Sequence, residues 1–270
     1  MKKYFFTVFF IFFVYNLQSQ VLIALLLGDK LNTGKIEFGL DGGVNFSNIS
    51  NLETDKYLRA WNLGFYFDIK MKDQLFFNTG VLVKSSVGTD NLTQADLEFL
   101  GATVYEFEVE NYNDGDYSQK INYFLVPALL KYKFKNQIHV EAGPQFGLMY
   151  NAWIEYNYNE DSGSGRIKED NKDDVNRFDV GLVGGVGYRF LKGLGWTVGV
   201  RYQYGLTNVY KDISGKRNNS LYLKLNIPFG ISDEKKEEIQ EMKTHLQEKK
   251  EEKKAARKKK KKENKNSNNN

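Results

Sequence analysis

The residues of this sequence that could do chemistry are charged side chains, one histidine among them, that recur at alternate positions along extended stretches. They are Glu37, Asp41, Asp68, Lys70, Lys84, Lys131, Lys133, His139, Glu141, Arg177, Asp179, Arg189, Arg201 and Lys224. Such groups can pair with one another in a closed interior, line a narrow path for an anion, or supply acid–base catalysis around the histidine. Because unpaired charges inside a protein are costly, we expect a network of mutual ion pairs.

Catalysis at His139 would need a nucleophile beside it. No serine has the same strand parity close to His139, and the other histidine of the sequence, His245, lies in the C-terminal tail. We therefore predict a hydrogen-bonded structural role for His139 and no enzymatic activity. A lipid-modifying membrane enzyme is kept as a distant alternative.

Neither the cysteine count nor two short motifs of the sequence supports a metal or cofactor site. The chain has no cysteine, which excludes disulfides, thiol catalysis and cysteine-ligated metals. The run GGVG at 184–187 lies within a predicted strand, whereas a phosphate-binding loop joins a strand to a helix. The acidic segment 157–174 lacks the ligand spacing and the terminal glutamate of a calcium loop. We predict neither a metal site nor a cofactor.

The elements that position the charged set are β-strands. Between Val175 and Tyr210 apolar residues alternate with polar residues and glycine, as they do where an extended chain sends successive side chains to opposite faces. The apolar face carries Phe178, Val180, Leu182, Val186, Tyr188, Phe190, Trp196, Val198, Val200, Tyr202, Tyr204 and Leu206. A soluble sandwich would turn this face inward, and a membrane barrel would turn it outward to lipid.

Eight such strands are predicted, at residues 36–46, 58–71, 74–87, 119–134, 137–156, 175–190, 194–210 and 217–229. Tight turns at 72–73, 135–136 and 191–193 alternate with longer connections at 47–57, 88–118, 157–174 and 209–216. Short turns at one end and long loops at the other are typical of outer-membrane barrels. A soluble lipocalin-like barrel would need a polar exterior, and the polar set here is too small for one. The predicted fold is all-β, an eight-stranded antiparallel up-and-down transmembrane barrel over residues 36–230.

The N-terminal segment has the anatomy of a secretory signal. Residues 1–20 begin with Lys2 and Lys3, continue with an apolar core and end with a polar stretch. The apolar core is too short to span a bilayer as a helix, which needs about 20 residues. Residues 21–35 are either a short interfacial segment or part of an extended signal.

The C-terminal segment, residues 231–270, is a tail rich in lysine and glutamate that we expect to be partly helical or disordered. Six consecutive cations lie in it: Arg257, Lys258, Lys259, Lys260, Lys261 and Lys262. The tail is either a solvated charged segment or a tether to periplasmic anions, such as lipid phosphates or an acidic protein. Nucleic acid is not expected as a partner, because the signal and the barrel place the tail outside the cytoplasm.

Four stretches carry a resemblance to a known family. They are Gly39 to Ser47 (GLDGGVNFS), Phe124 to Tyr132 (FLVPALLKY), Glu141 to Gly147 (EAGPQFG) and Arg201 to Asn208 (RYQYGLTN). Together they resemble strands of the PorT-like outer-membrane β-barrel family of Bacteroidota, over about residues 36–229. The lysine-rich tail departs from the usual pattern of that family, in which the last aromatic residue of the barrel lies near the chain end.

The resemblance implies a Gram-negative outer-membrane protein, and the even number of strands places both termini in the periplasm, on the side of the short turns. It implies a non-enzymatic structural role, or a role accessory to envelope or secretion machinery, because the family takes its name from a member linked to type IX secretion. The expected partners are outer-membrane lipid and a periplasmic or secretion-machinery protein. A surface adhesin that binds through its external loops is the alternative.

Overall fold

The computed structural model describes residues 35–103, 115–160, 163–193 and 195–229, together with the helical positions 241, 244, 248, 249 and 251. The predicted signal at 1–20, the segment at 21–34 and the six cations at 257–262 lie outside the described residues. No helix within the described ranges is long and apolar enough to cross a membrane.

The described chain consists almost entirely of β-strands. The ten strands are β1 (Ile36–Ile49), β2 (Leu58–Lys72), β3 (Leu75–Lys84), β4 (Ser86–Thr89), β5 (Gly115–Lys133), β6 (Ile138–Glu160), β7 (Gly163–Asp170), β8 (Phe178–Arg189), β9 (Thr197–Gly205) and β10 (Asn218–Pro228). A short helix, α1 (Gln94–Leu100), lies between β4 and β5, and a 3₁₀ turn at Leu191–Gly193 joins β8 to β9.

Eight of these strands close into a ring. Its order is β1, β2, β3, β5, β6, β8, β9 and β10, and every neighbouring pair is antiparallel. The pairing of β10 with β1 closes the ring, and the pairing of β5 with β6 completes its other side. Strand β4 continues the line of β3 along β5, and β7 folds back onto the outer part of β6. The predicted eight-stranded antiparallel barrel is confirmed.

The alternation of the sequence sets which side chains face outward. On β8 the outward residues Leu182 and Val186 are 52% and 50% exposed, whereas the neighbouring Val183 is buried. The same parity continues around the ring, so Leu40 on β1 has the outward residues Phe65 and Ile227 as its register partners. The barrel therefore presents an apolar belt outward and keeps most of its charged strand residues inside.

Two elements depart from the predicted fold. Segment 157–174, predicted as an acidic loop, contains strand β7, which pairs with residues Trp153 to Glu160 of β6. Strand β6 is thereby 23 residues long, about twice the 9–11 residues that cross a bilayer. The long connection predicted at 88–118 contains helix α1, which Thr93 caps. We use "turn end" for the barrel end with the tight turns and "loop end" for the opposite end.

Candidate functional site

The structure places eleven of the fourteen predicted interior charges inside the barrel. They are Glu37, Asp41, Asp68, Lys131, Lys133, His139, Glu141, Asp179, Arg189, Arg201 and Lys224. Lys70 shares the inward parity of Asp68 but is exposed, because it lies at the mouth of the turn end.

Two of the predicted positions are corrected. A register shift between β2 and β3 makes Lys84 the partner of the outward-facing Leu63, so Lys84 is exposed outside the barrel. Ser85 takes the inward place and donates a hydrogen bond of 2.8 Å to Asn62. Arg177 precedes β8 and is exposed at the loop end. Neither cation belongs to the interior network.

Asp68 is the centre of the network at the turn end. Its carboxylate accepts hydrogen bonds from Lys131 at 2.8 Å and from the amide of Asn78 at 2.7 Å. Lys133 lies 2.9 Å from the second carboxylate oxygen. One carboxylate thus holds two ammonium groups, and both come from β5, on which alternate residues face inward.

Deeper in the barrel, Glu141 and Arg201 form a fully buried pair. Arg201, 1% exposed, donates from Nε and Nη2 to the same Glu141 oxygen at 2.8 and 2.7 Å. Arg201 also donates to Asn78 at 3.2 Å, which joins this pair to the Asp68 cluster. Lys131 lies 3.6 Å from the other Glu141 oxygen. Ion pairs of this kind avoid the cost of leaving single charges in a dry interior.

Two more pairs complete the interior charges near the turn end. Arg189 donates to both oxygens of Glu37 at 2.8 and 2.6 Å, and Tyr66 donates to the same carboxylate at 2.9 Å. Lys224 lies 2.8 Å from Asp41. These contacts join strands that are far apart in sequence, so they tie the ring together across its interior.

His139 lies beside this network without the partners of a catalytic base. Its Nε2 is 4.0 Å from Glu141, and no hydrogen bond joins it to a hydroxyl group in the described chain. Its ring packs against Gly187, where an added Cβ would come within 2.3 Å of the His139 Cε1 atom. The glycine therefore provides the space for the imidazole. Nor does any cluster of three His, Asp or Glu side chains among the described residues suit a metal ion.

The loop-end half of the interior contains a buried apolar cluster, which the sequence did not reveal, among polar side chains such as Gln119 and Asn218. Asp179 lies in the same half, where its carboxylate accepts hydrogen bonds from Gln203 at 3.2 Å and Thr207 at 3.0 Å. The buried cluster there consists of Ile49, Leu82, Val87, Ile121, Tyr123, Leu125, Met149, Ala152, Val175, Val209, Tyr210 and Tyr222. Tyr222 donates to Gln203 at 3.0 Å, and Gln145 donates to the same oxygen. Between this cluster and the ion pairs lies a cavity of about 10 Å³, which is no larger than the space one water requires.

A folded cap lies over the loop end. Thr93 and Asp96 form a capping box at the start of α1. The Asp96 carboxylate also accepts the backbone N–H groups of Glu53 at 2.7 Å and Thr54 at 3.1 Å, which ties the β1–β2 loop to the helix. Leu92, Leu97 and Ile154 form a second buried cluster, with Leu100 packed against it.

The β6–β7 hairpin carries a polar cluster around Glu155. Lys120 and Trp153 donate hydrogen bonds to the two oxygens of Glu155, and Arg166 and Lys168 lie 3.5 and 3.7 Å away. Glu155 is 17 residues beyond the start of β6. On a strand tilted by about 45° this is a rise of roughly 40 Å along the barrel axis, well past an apolar band about 25 Å tall. Burial raises the pKa of Glu155, but the Lys120 and Trp153 hydrogen bonds and the nearby cations outweigh burial and lower it.

Comparison with known proteins supports this architecture at the level of the family. A family model described as "Outer membrane protein beta-barrel domain" matches residues 18–211, more than half of the chain. No curated protein sequence matches.

Solved structures similar to this chain include those of three bacterial proteins. The attachment invasion locus protein Ail of Yersinia pestis, solved with a heparin analogue, is 12% identical (72% of this chain, 99% of Ail, TM-score 0.37). OprG of Pseudomonas aeruginosa is 10% identical (73% and 97%, TM-score 0.35). Neisserial surface protein A is 9% identical (72% and 97%, TM-score 0.34).

Proposed function

Because this chain belongs to the outer membrane protein beta-barrel domain family and lies in the outer membrane of a Gram-negative cell, we propose that it is a sealed, non-enzymatic barrel that acts through its two ends. On this proposal the lumen carries no solute. The turn end, with both ends of the described barrel, faces the periplasm, and the folded cap faces outward.

The observation that carries this proposal is the filled interior. Buried ion pairs join opposite strands toward the turn end, a buried apolar cluster lies toward the loop end, and a cavity of only about 10 Å³ lies between them. Conduction needs a continuous polar path with sites that an ion can both enter and leave. A buried arginine held by Glu141 and Asn78, followed by the buried apolar cluster, does not provide such a path.

The finer role we propose is that of an accessory to envelope or secretion machinery, as in the PorT-like family. The four stretches that resemble that family support it, and so does an interior that ion pairs and the apolar cluster block against passage of a solute. The tail at 231–270 would add a periplasmic tether through its cations. Removing everything after Gly230 should then leave a folded barrel that loses periplasmic contacts, most clearly at low salt.

One observation favours a second function, binding of a partner at the cell surface. The β6–β7 hairpin extends well past the membrane band and is held by the Glu155 cluster, with Lys168 4.4 Å from the Trp153 ring centre. A rigid extension of this kind is a suitable binding platform.

A site-specific photocrosslinker distinguishes the two functions. The crosslinker is placed at Asp73, in a tight turn, or at Lys172, after β7, in intact cells. An accessory role predicts a discrete crosslinked envelope protein from Asp73 and none from Lys172. Adducts from Lys172 alone would overturn the accessory role in favour of surface binding. The chain has no cysteine, so an impermeant thiol reagent on Asp73→Cys and Lys172→Cys reports which end faces outward.

A further inference from the structure

The turn end of the barrel encloses a cavity of about 260 Å³. Side chains from β1, β2, β3, β5, β6, β8 and β9 line it, so it is the mouth of the barrel and not a gap between two elements. Asp68 and Lys131 line its wall, and the Glu141–Arg201 pair lies next to them. The Glu141–Arg201 pair and the apolar cluster lie between this cavity and the loop end.

The lining of this cavity carries an excess of positive charge. Five cations line it: Lys35, Lys70, Lys131, Lys133 and Arg189. Glu37 and Asp68 are the two carboxylates among the same lining residues, so five cations against two anions leave three positive charges, with His139 counted as neutral. A cleft with one dominant sign of charge and low-dielectric walls concentrates the field and attracts the opposite charge.

Donors in the cavity remain available after the internal pairs are formed. An ammonium group has three N–H donors, and Lys133 gives one to Asp68 while lying 3.9 Å from the Phe76 ring centre. The Lys133 side chain is 25% exposed, and Lys70, which lines the same cavity, is exposed. Both ammonium groups therefore have donors left for an incoming acceptor.

We propose that this cavity binds an oxyanion, either the carboxylate of an acidic peptide segment or a free phosphate. The volume admits a small ion, a single side chain or a chain end, and it excludes a folded domain. Lys70 and Lys133 donate to the ligand oxygens, and Arg189, held in place by Glu37, adds its charge. The inference deepens the proposed function, because it gives the chemistry by which a periplasmic partner would be held.

Titration calorimetry on the purified full-length protein in detergent micelles tests this site. The probes are inorganic phosphate and a tetraglutamate peptide, each at low and at high salt. Lys70→Glu should weaken binding by about tenfold and Lys133→Gln by about threefold, because each removes a donor and a positive charge. Lys172→Glu is the matched control, since it makes the same charge change on an exposed lysine at the loop end.

The outcomes identify the source of the oxyanion, and they distinguish failure of the proposed site from failure of the accessory role. Tighter binding of tetraglutamate identifies a peptide carboxylate, and tighter binding of phosphate identifies a free or lipid phosphate. A folded wild type that binds neither probe at low salt overturns the site. An equal loss in Lys172→Glu overturns it too, because diffuse charge would then explain the binding. Intact anion binding without any Asp73 crosslink would refute the accessory role and leave the site standing.

Discussion

The replacement Glu141→Gln measures how dry the barrel interior is. It removes the charge that faces Arg201 and preserves the shape of the side chain. The guanidinium is 1% exposed and keeps one further described hydrogen bond, from Nη2 to Asn78. Its stranded charge is therefore poorly compensated, and the size of the penalty depends on how much water reaches it.

The expected magnitude follows from the geometry. Opposite unit charges about 4 Å apart attract by about 4 kcal/mol at an effective dielectric constant of about 20, and by about 1 kcal/mol in bulk water. Breaking one partner of a buried pair costs about 3–5 kcal/mol in proteins. The glutamine oxygen can still accept one hydrogen bond from Arg201. We therefore expect a loss of about 3 kcal/mol in the free energy of unfolding.

Urea unfolding in detergent micelles, followed by the mobility of unboiled samples on a denaturing gel, measures this loss. The control is the double variant Glu141→Gln with Arg201→Met, which leaves no unpaired charge and should recover most of the stability. A loss below about 1 kcal/mol in the single variant, with no recovery in the double variant, would refute a dry, filled interior. It would show instead that water screens Arg201.

Three further predictions concern other parts of the chain. Gly187→Ala should destabilise the barrel by about 1–3 kcal/mol in the same urea assay, because its Cβ would meet the His139 ring, whereas Gly184→Ala, with nothing within 4 Å, should be nearly neutral. Val180→Arg, on the outward apolar face, should cost about 2–4 kcal/mol and lower the yield of assembled barrel in outer-membrane fractions. The lowered pKa of Glu155 means that its contribution to stability is present above the unfolded pKa of about 4.3 and is lost as pH falls through the folded pKa. Hydrogen-exchange protection in the β6–β7 hairpin, corrected for the intrinsic exchange rate at each pH, should therefore fall in acid, and Glu155→Gln should remove most of that pH dependence.

The barrel itself could be predicted because the membrane imposes a strict pattern on the sequence. Lipid on one side and a narrow interior on the other make the side chains alternate, as in Leu182 and Val183. The pattern fails where that constraint ends. Strand β7 lies beyond the membrane band, where both of its faces can be polar, so residues 163–170 read as an acidic loop. Lys84 was predicted on the wrong face because one register shift between β2 and β3 reverses which residues of β3 face inward. Such a shift cannot be recognised from the residue types alone.

The sequence predicted which residues face the barrel interior, but not how they are arranged there. The alternating pattern identified which charged residues face inward but not which of them pair. That Arg201 pairs with Glu141 depends on how strands distant in sequence come together in the barrel. The apolar cluster was missed because Ile121, Leu125 and Met149 share the inward parity of the charges. An alternating pattern shows that a residue faces inward but not where along the barrel axis it lies. Helix α1 had a visible signal in Thr93 and Asp96, which have the spacing of a capping box.

Single-channel recording in planar bilayers tests the sealed interior most directly. The purified full-length barrel is inserted at a known density, with an open porin of the same preparation as the positive control. A lumen filled by the Arg201 and Glu141 pair and by the apolar cluster predicts no discrete conductance steps in molar salt, in the wild type or in Lys70→Glu. Stable, reproducible steps whose size changes in Glu141→Gln would contradict it, because they would require a continuous aqueous path past that pair.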